Sequence, residues 1–480
     1  AVLEGSVQKV KEVIDKGALL THRNDYGLTP LLLALKESNL EIVKYLMENG
    51  CNYEDNYIDE FSPISKVEGK NWIPIVKYFI DKGYSAENAT KDGQSILHLE
   101  LENVEHVHWI LDNNIIDLEN TNENGDTPLI VASYYGFFES FKLLLDKGAN
   151  VYAKNNYGDT IATRAAYGGQ LEIIQFIGDN IEELLDVPGF YDYPIGLACY
   201  SGHYHIVEYL LNRGVNVNSK TDAGGYTPIH RAVSIGNAQI VQLLLESNQI
   251  DFTLESNKEL VLRATEEDKL EVLKILDDID NNLIHEEIGP DKLTIMHTAA
   301  ADNRVSILQW GLEKNLDISK PNGNGDTPLL VASYHGSIEA LEWLLSNGAS
   351  LKERNNYDDT ALIRAAYSGN IKAVKWLLDH GCNLEDKNTF GDTPLLLAAY
   401  NGNLKLVEFL IDSGSNIDAQ RFDGDNALLM AANNRQLPVM FYLILNGISI
   451  EHTNEIGEDI FKIAEDGGFL DELQNEIRIR

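Results

Sequence analysis

The chain has 480 residues, 44% of them hydrophobic, and a formal net charge of −37 from 75 acidic and 38 basic residues. This acidic balance excludes direct nucleic-acid binding as the expected function, because nucleic acid requires a basic face. No run of 18 apolar residues could form a membrane span, and no signal peptide is recognisable. Three cysteines without paired spacing, Cys51, Cys199 and Cys382, argue against disulfides or a zinc site and favour a reducing, cytoplasmic location.

The N-terminal part of the chain, 1–125, is predicted to consist of helix pairs, the first of them truncated. Residues 1–5 match the end of a short helix, and 7–14 form a second helix that Gly17 closes. Further pairs open near positions 30, 63 and 96, with a degraded first helix in the copy at 63 and a shortened pair in the copy at 96. Because the opening of the first pair would lie before residue 1, we expect a piece of a longer protein.

A regular block follows over 126–255, and its repeating unit is clearest in a later copy. The stretch Asn324 to Pro328 reads Asn-Gly-Asp-Thr-Pro, in which Gly makes a turn, Thr caps a helix and Pro fits its first position. A short helix of small and apolar residues then ends at Gly336, and 338–345 has the apolar spacing of a second helix. Neither helix buries its apolar face alone, so each pair is expected to stack on the next.

The segment 256–325 is predicted to be a degenerate seam. Its first copy, near 261, lacks the Thr-Pro opening and the turn glycines, and the finger loop over 281–291 is lengthened. A second regular block, 326–480, ends in a closing helix with a polar free side that caps the array. Residues 125–175 align without a gap with residues 325–375. We interpret the chain as one array that contains a duplicated block.

The recurring unit resembles the ankyrin repeat. The resemblance rests on the Thr-Pro-Leu opening, the Ala-Ala pair, the two glycines and the Gly-Ala finger, which recur every 32 to 34 residues along essentially the whole chain. It implies an all-α fold over 1–480, a curved and elongated ankyrin-repeat solenoid of about fifteen helix-turn-helix pairs with β-hairpin fingers. It also implies that partners bind along the concave face, which the finger tips and the exposed ends of the first helices form.

Two rows of residues occupy the family's contact positions in this sequence. Tyrosine follows the small residue pair in six copies, with one further tyrosine beside it, and aspartate follows the finger glycine. Tyrosine offers a large contact area at little entropic cost. The predicted protein-binding residues are Tyr134, Tyr135, Tyr167, Tyr200, Tyr334, Tyr367, Tyr400, Asp126, Asp159, Asp326, Asp359 and Asp392.

Structural roles are the alternative for both rows. The tyrosines would then pack on the neighbouring repeat, and the aspartates would cap the threonines that follow them. Three arginines directly before the small pair are expected to pair with neighbouring aspartates or, as the alternative, to hold a carboxylate of a partner: Arg164, Arg231 and Arg364. Three histidines in the fourth position of the opening are assigned, as in the family, to hydrogen bonds between adjacent fingers: His98, His230 and His297.

No motif in the chain predicts catalysis, a cofactor or a metal site, and the His-x-His pairs at 106–108 and 203–205 lack a third ligand. The expected function is a non-enzymatic scaffold that binds partner proteins through the concave face. A row of tyrosines beside a row of aspartates favours an extended partner segment containing Lys or Arg. Two alternatives stay open: the recognition arm of a larger protein (an ion channel, toxin or enzyme), and a structural spacer in a large assembly.

Overall fold

The architecture is helical throughout the part of the chain that the computed structural model describes, residues 1–51, 62–220, 225–251, 257–279 and 283–479. These residues form two compact units, Ala1–Ile250 and Asp251–Arg480. Within them lie 28 α-helices, three 3-10 helices and two isolated antiparallel bridges. The all-α class predicted from the sequence is confirmed.

The helices alternate along the chain between the first and the second helix of each repeat. The first unit contains α1 Val7–Asp15, α2 Pro30–Lys36, α3 Leu40–Glu48, α4 Trp72–Asp81, α5 Ile96–Leu99, α6 Val104–Asp112, α7 Pro128–Tyr135, α8 Phe138–Asp146, α9 Ile161–Gly168, α10 Leu171–Asn180, α11 Pro194–Ser201, α12 Tyr204–Asn212, α13 Pro228–Ile235 and α14 Ala238–Glu246. The second unit contains α15 Asn257–Glu266, α16 Leu270–Ile279, α17 Ile295–Ala301, α18 Val305–Glu313, α19 Pro328–His335, α20 Ile338–Ser346, α21 Ala361–Ser368, α22 Ile371–Asp379, α23 Pro394–Tyr400, α24 Leu404–Asp412, α25 Ala427–Asn433, α26 Leu437–Leu445, α27 Ile460–Asp466 and α28 Leu470–Ile479. The 3-10 helices are Pro63–Lys66, Glu182–Asp186 and Leu283–His285.

Local sequence sets both ends of the first helices. In α7, the Thr127 hydroxyl accepts a hydrogen bond from the Ile130 N–H at 3.3 Å, and Pro128 occupies the first turn, where its missing N–H costs nothing. The helix stops at Gly136, whose φ of +79° lies in the left-handed region that other residues resist. The Thr-Pro opening and closing glycine therefore act as predicted.

The core runs along the first helices. In the first unit, α7, α9, α11 and α13 pack on one another in sequence order, and α17, α19, α21, α23, α25 and α27 do so in the second. Small residues stand at these contacts, since Ala132, Ala165 and Ala166 are fully buried. Alanine at a helix contact lets the two backbones approach closely, so each repeat buries the apolar face of its neighbour.

The fingers are closed turns, and a single hydrogen bond between backbone groups joins one finger to the next, where the family resemblance predicts β-hairpins. The Asn155 side-chain oxygen accepts from the N–H groups of Tyr157 and Asp159, which closes one finger. The Asn156 N–H donates to the Asn124 carbonyl at 3.0 Å, which joins that finger to the preceding one. One bond between fingers cannot make a strand ladder. The bridges among the described residues pair Ile288 with Leu293 and Gln420 with Asn426.

The predicted sub-blocks 126–255 and 256–325 meet close to the division between the two units, and the sub-block bounds stay a prediction. Residues 252–256 and 280–282, which include part of the seam and of the lengthened finger loop, lie outside the described residues. Among the helices of the described part, none combines the length and the apolar character that a membrane crossing needs.

Buried histidines tie neighbouring repeats together. His297 is fully buried, its Nδ1 accepts from the Thr294 N–H at 3.1 Å, and its Nε2 lies 3.0 Å from the Asp326 carbonyl of the next finger. His98 repeats this arrangement with Ser95 and with the Asp126 carbonyl. The predicted bonds between fingers are confirmed for both histidines. This arrangement requires a neutral ring, because a protonated Nδ1 cannot accept.

We expect the free energy of unfolding to fall as the pH is lowered from 7 to 5.5. Burial lowers the pKa of His98 and His297 below the ordinary value of 6.5, although the bonds to the next finger oppose this. The unfolded chain therefore takes up protons first, so the stabilisation is complete above pH 6.5 and is lost as the pH falls through the folded pKa values. Each histidine adds at most about 1.4 kcal/mol per pH unit. Urea unfolding across this range measures the slope.

Two variants control this measurement. The double variant His98→Gln with His297→Gln should flatten the slope of unfolding free energy against pH. The variant His205→Gln, which changes an exposed histidine, should keep the wild-type slope. An unchanged slope in the double variant would assign the pH dependence to other groups.

Candidate functional site

The predicted tyrosines lie at the C-terminal ends of α7, α9, α11, α19, α21 and α23. Tyr134 and Tyr334 are half-buried. The others expose larger fractions of their surface: Tyr135 60%, Tyr200 45%, Tyr367 45%, Tyr167 39% and Tyr400 38%. Exposed aromatic rings at the same position of successive repeats are suited to contact with another protein. We call these seven residues the helix-end tyrosines.

The helix-end tyrosines also pack on one another. The rings of Tyr134 and Tyr167 stack with 6.1 Å between their centroids, and the Arg164 guanidinium lies 4.6 Å from the centroid of Tyr134. In the second block, Arg364 lies 4.8 Å from the ring of Tyr334, which in turn lies 6.3 Å from the next tyrosine ring. The first tyrosine of each block is therefore a packing residue as well, while the next one is free to meet a partner on one face.

The predicted aspartates lie beneath this surface. They expose between 2% and 9% of their area: Asp326 2%, Asp126 4%, Asp392 5%, Asp159 6% and Asp359 9%. Burial raises the pKa of Asp159, Asp326 and Asp392, because a carboxylate is harder to charge away from water. Direct contact between these aspartates and a partner stays a prediction, and their burial favours the structural alternative.

Asp126, Asp326 and Asp359, and Asp425 further along the chain, each accept a hydrogen bond across a repeat boundary from the asparagine that closes the next finger, whereas Asp392 accepts from Asn388 of its own finger. The distances from Nδ2 to the carboxylate are 2.8 Å for Asn155–Asp126, 2.9 Å for Asn355–Asp326, 3.0 Å for Asn388–Asp359 and 3.0 Å for Asn454–Asp425. We call these pairs the Asn–Asp ladder. The ladder holds successive fingers in register, which in turn sets the spacing of the surface above it.

The arginines join the buried aspartates to the tyrosine surface. Arg364 Nη2 donates to Asp326 at 3.0 Å, and Arg231 Nε donates to Asp192 at 2.7 Å. Arg164 stands 3.8 Å from Asp159, too far for a hydrogen bond, and its side chain makes none to the residues that the structure describes. The predicted pairing with aspartates is confirmed for all three arginines, and Arg164 is the loosely held one.

A groove of about 510 Å³ opens in the first unit. The fingers contribute two tyrosines to it, and α9, α11 and α13 contribute the helix-end tyrosines and the arginines. It is lined by Tyr157, Asp159, Thr163, Arg164, Tyr167, Tyr191, Leu197, Tyr200 and Arg231. We call it the Tyr–Arg groove. In the second block, Gly391 and Met430 stand in place of Tyr191 and Arg231, so two of these wall side chains belong to the first block alone.

A second exposed aromatic row, on the fingers, was missed in the sequence. Its members stand two residues before the finger aspartate: Tyr157, Phe190, Tyr357 and Phe390, which expose 46%, 65%, 47% and 51% of their area. The rings of Tyr357 and Phe390 stack at 6.5 Å. Their spacing of 33 residues within each block was the available signal. We call them the finger aromatics.

The chain matches known repeat families along most of its length. The profile of a family described as ankyrin repeats (3 copies) matches residues 64–155, 100–185, 163–256, 261–355, 296–388 and 362–454. The profile described as ankyrin repeat matches residues 26–57.

Curated relatives are similar to parts of the chain. The human "Transient receptor potential cation channel subfamily A member 1" is 25% identical over 256 residues, 52% of this chain and 18% of that protein. The mouse "Protein fem-1 homolog A-like" is 26% identical over 38% of this chain and 30% of its own length. "Alpha-latrotoxin-Lt1a" of Latrodectus tredecimguttatus is 37% identical over 28% of this chain and 9% of its own length. The chain thus spans less than a third of each of these relatives.

Proposed function

Because this chain belongs to the ankyrin-repeat family, we propose that it is a non-enzymatic scaffold that binds partner proteins through the concave face of its repeat array. The helix-end tyrosines supply the contact residues, and the finger aromatics extend the surface toward the finger tips. Ankyrin repeats in general serve as protein interaction modules, which supports the class of function.

The observation that carries the proposal is the convergence of the two aromatic rows. Tyr157 and Tyr191 from the fingers and Tyr167 and Tyr200 from the helices line the same groove. Four tyrosines around one groove form a surface on which a partner chain buries apolar area while the hydroxyl groups stay available for hydrogen bonds. An exposed aromatic surface of this kind on a protein of net charge −37 is suited to binding rather than to solubility alone.

We further propose that the partner segment is extended and basic overall. The net charge of −37 attracts basic segments over distances of about 10 Å at 0.1 M salt. The tyrosine rings add cation–π contacts worth ~0.5–2 kcal/mol each. The buried aspartates contribute to binding indirectly, because their hydrogen bonds hold the fingers and the arginines in place. Three cysteines without paired spacing, Cys51, Cys199 and Cys382, favour a reducing, cytoplasmic setting for the encounter.

The relatives favour a second candidate, the recognition arm of a larger protein. They include proteins named as a cation channel and as a toxin, and the matched part covers 18% and 9% of those proteins. In that case the same surface would present the partner to a domain elsewhere in the protein. The sequence that precedes residue 1 in the genome distinguishes the two candidates.

Replacing Tyr334, Tyr367 and Tyr400 together by alanine should weaken partner binding at least about tenfold, because central interface tyrosines contribute roughly 2 kcal/mol or more each. The partner is identified with wild-type bait and quantitative mass spectrometry, and its Kd is then measured by isothermal titration calorimetry. Circular dichroism checks that the variant remains folded.

The matched control replaces two apolar side chains away from this surface, Leu19 in a loop and Leu445 in α26, which expose 70% and 62% of their area. Equal affinities of the triple variant and the control would remove Tyr334, Tyr367 and Tyr400 from the binding surface and assign these three to packing. If the affinity of the wild type for its partner does not change with salt concentration, the proposal that the partner segment is basic is wrong.

A further inference from the structure

The charged groups that the Tyr–Arg groove exposes are guanidinium groups, although the chain as a whole is acidic. The lining contains Arg164, Arg231 and one carboxylate, Asp159. Each arginine has a buried carboxylate behind it, since Asp159 lies 3.8 Å from Arg164 and Asp192 lies 2.7 Å from Arg231. The side chains of these two aspartates are 9% and 1% exposed, whereas those of the arginines are 26% and 24% exposed. A group that enters the groove therefore meets the guanidinium groups before the carboxylates.

The Arg164 guanidinium has N–H donors that form no hydrogen bond with the residues that the structure describes. Its equivalent in the second block, Arg364, donates to Asp326 at 3.0 Å, but Arg164 makes no side-chain hydrogen bond within the described part of the chain. Asp326 and its counterpart Asp126 both accept from an asparagine of the next finger, but only Asp326 also accepts from the arginine. A guanidinium carries five N–H donors in a planar fork that matches a carboxylate. Arg164 thus points to an acceptor supplied by a partner.

We propose that the Tyr–Arg groove binds the side-chain carboxylate of an acidic residue in an extended partner segment, with Arg164 and Arg231 as donors. The proposal rests on the proposed function and identifies an anchor within it. Long-range attraction brings a basic segment toward the acidic protein, and the groove then selects the one position in that segment that carries a carboxylate. A cation is disfavoured at this point, because it would approach two guanidinium groups in a partly enclosed site.

The apolar part of the lining determines the neighbours of that carboxylate. Leu197 stands at the position that Arg164 and Arg231 occupy in the adjacent repeats, and Tyr167 and Tyr200 flank it at the helix ends. Aromatic and aliphatic side chains next to the acidic residue would cover Leu197 and stack on the tyrosine rings. The volume of about 510 Å³ lies in the range of small-ligand sites.

The test is a selection of random dodecapeptides displayed with their C-termini fused to a phage coat protein, so that side chains supply every carboxylate. The expected peptides share an Asp or Glu beside an aromatic or aliphatic residue. Replacing that residue by Asn or Gln in the synthetic, amidated peptide should weaken binding about 10- to 100-fold, as for a hydrogen-bonded charge. In the wild type, the peptide should also shift the 15Nε–Hε NMR signal of Arg164.

Three protein variants complete the test. Arg164→Met should reproduce the 10- to 100-fold loss, and Arg164→Lys, which keeps a charge beside Asp159 and so protects folding, should lose affinity through the missing planar fork. Arg354→Met removes an exposed arginine outside the groove and should bind as the wild type does.

Enrichment of Lys or Arg at the anchor position, or of no residue at all, would overturn the proposal. So would equal affinities of wild type and Arg164→Lys, or binding that only a free C-terminal carboxylate supports. Some peptides could bind equally well to the Arg164 variants and lose their affinity in the variant of Tyr334, Tyr367 and Tyr400. That result would refute the carboxylate anchor and would leave the scaffold function intact.

Discussion

Replacing Arg231 by methionine is expected to lower the free energy of unfolding of the first unit by about 3 kcal/mol or more at pH 7, because a buried carboxylate then loses its cation. The Asp192 side chain is 1% exposed and receives the Arg231 Nε–H at 2.7 Å. Within the part of the chain that the structure describes, the Tyr193 N–H also donates to this carboxylate, at 2.8 Å. Methionine keeps much of the arginine volume, so the loss reports the charge pair rather than a cavity.

The pH dependence of this loss follows from the pKa of Asp192. Burial raises that pKa and Arg231 opposes the rise. A carboxyl group with a raised folded pKa stabilises the fold below its unfolded pKa and costs stability as the pH rises. Without Arg231 the folded pKa rises further, so the difference between variant and wild type should be largest at pH 7 and should shrink toward pH 4. Urea unfolding at both pH values, with hydrogen exchange of α11 and α13, measures it.

Two further variants control the interpretation. Asp192→Asn combined with Arg231→Met removes the stranded charge and should recover most of the lost stability at pH 7. Lys9→Met breaks an exposed ion pair with Glu4 in the same unit and should leave the free energy of unfolding nearly unchanged. A loss at pH 4 as large as at pH 7 would show that Arg231 stabilises the unit through packing.

Gly325→Ala is expected to destabilise the second unit by about 3 kcal/mol or more, the sum of backbone strain and a collision. Gly325 has φ of +80°, and a Cβ built on it would lie 2.6 Å from the Asn356 nitrogen of the next finger. That nitrogen donates the hydrogen bond that joins the two fingers, at 3.0 Å to Asn324. The backbone has to shift, and the bond between fingers is lost. Thermal unfolding and hydrogen exchange of α19 and α21 measure the effect.

Gly158→Ala is the matched control, because it changes the same finger position in the first block. Gly158 has φ of +70°, but an added Cβ would come no closer than 4.0 Å to its nearest neighbour, the Phe190 nitrogen. The second block places Asp358 at the corresponding position, with φ of +63°. This change should cost only the strain, about 1 kcal/mol. Equal losses at both positions would mean that the contact with the next finger adds nothing.

The sequence predicted the repeat, its helix pairs and their ends, because these depend on local signals. Thr127 and Pro128 begin α7 and Gly136 ends it through contacts within a few residues. The pairing of the three arginines with aspartates also followed from local positions. The tyrosines were placed at the helix ends correctly, since a helix end is a local feature, and their spacing of 33 residues put them in one row.

The exposure of the aspartates could not be predicted in the same way. Asp126 and Asp326 follow the finger glycine and look like free carboxylates at a turn. They are buried because the asparagine of the next repeat, Asn155 or Asn355, reaches back to each of them. A contact between residues 29 apart depends on how repeats stack, which the residues on either side of an aspartate do not reveal.

By itself, the sequence determined the class of the molecule, because capping, helix periodicity and a recurring turn are properties of short stretches that repeat. The stacked structure decided which side chains a partner meets. It placed the aspartates in the Asn–Asp ladder, left Arg164 short of acceptors, and closed the Tyr–Arg groove with Tyr191 and Arg231. The duplicated block carries Gly391 and Met430 at those two positions, so two stretches of sequence that align with each other present different surfaces. The physical reason is that a groove needs side chains from three successive repeats, and its shape depends on all of them at once.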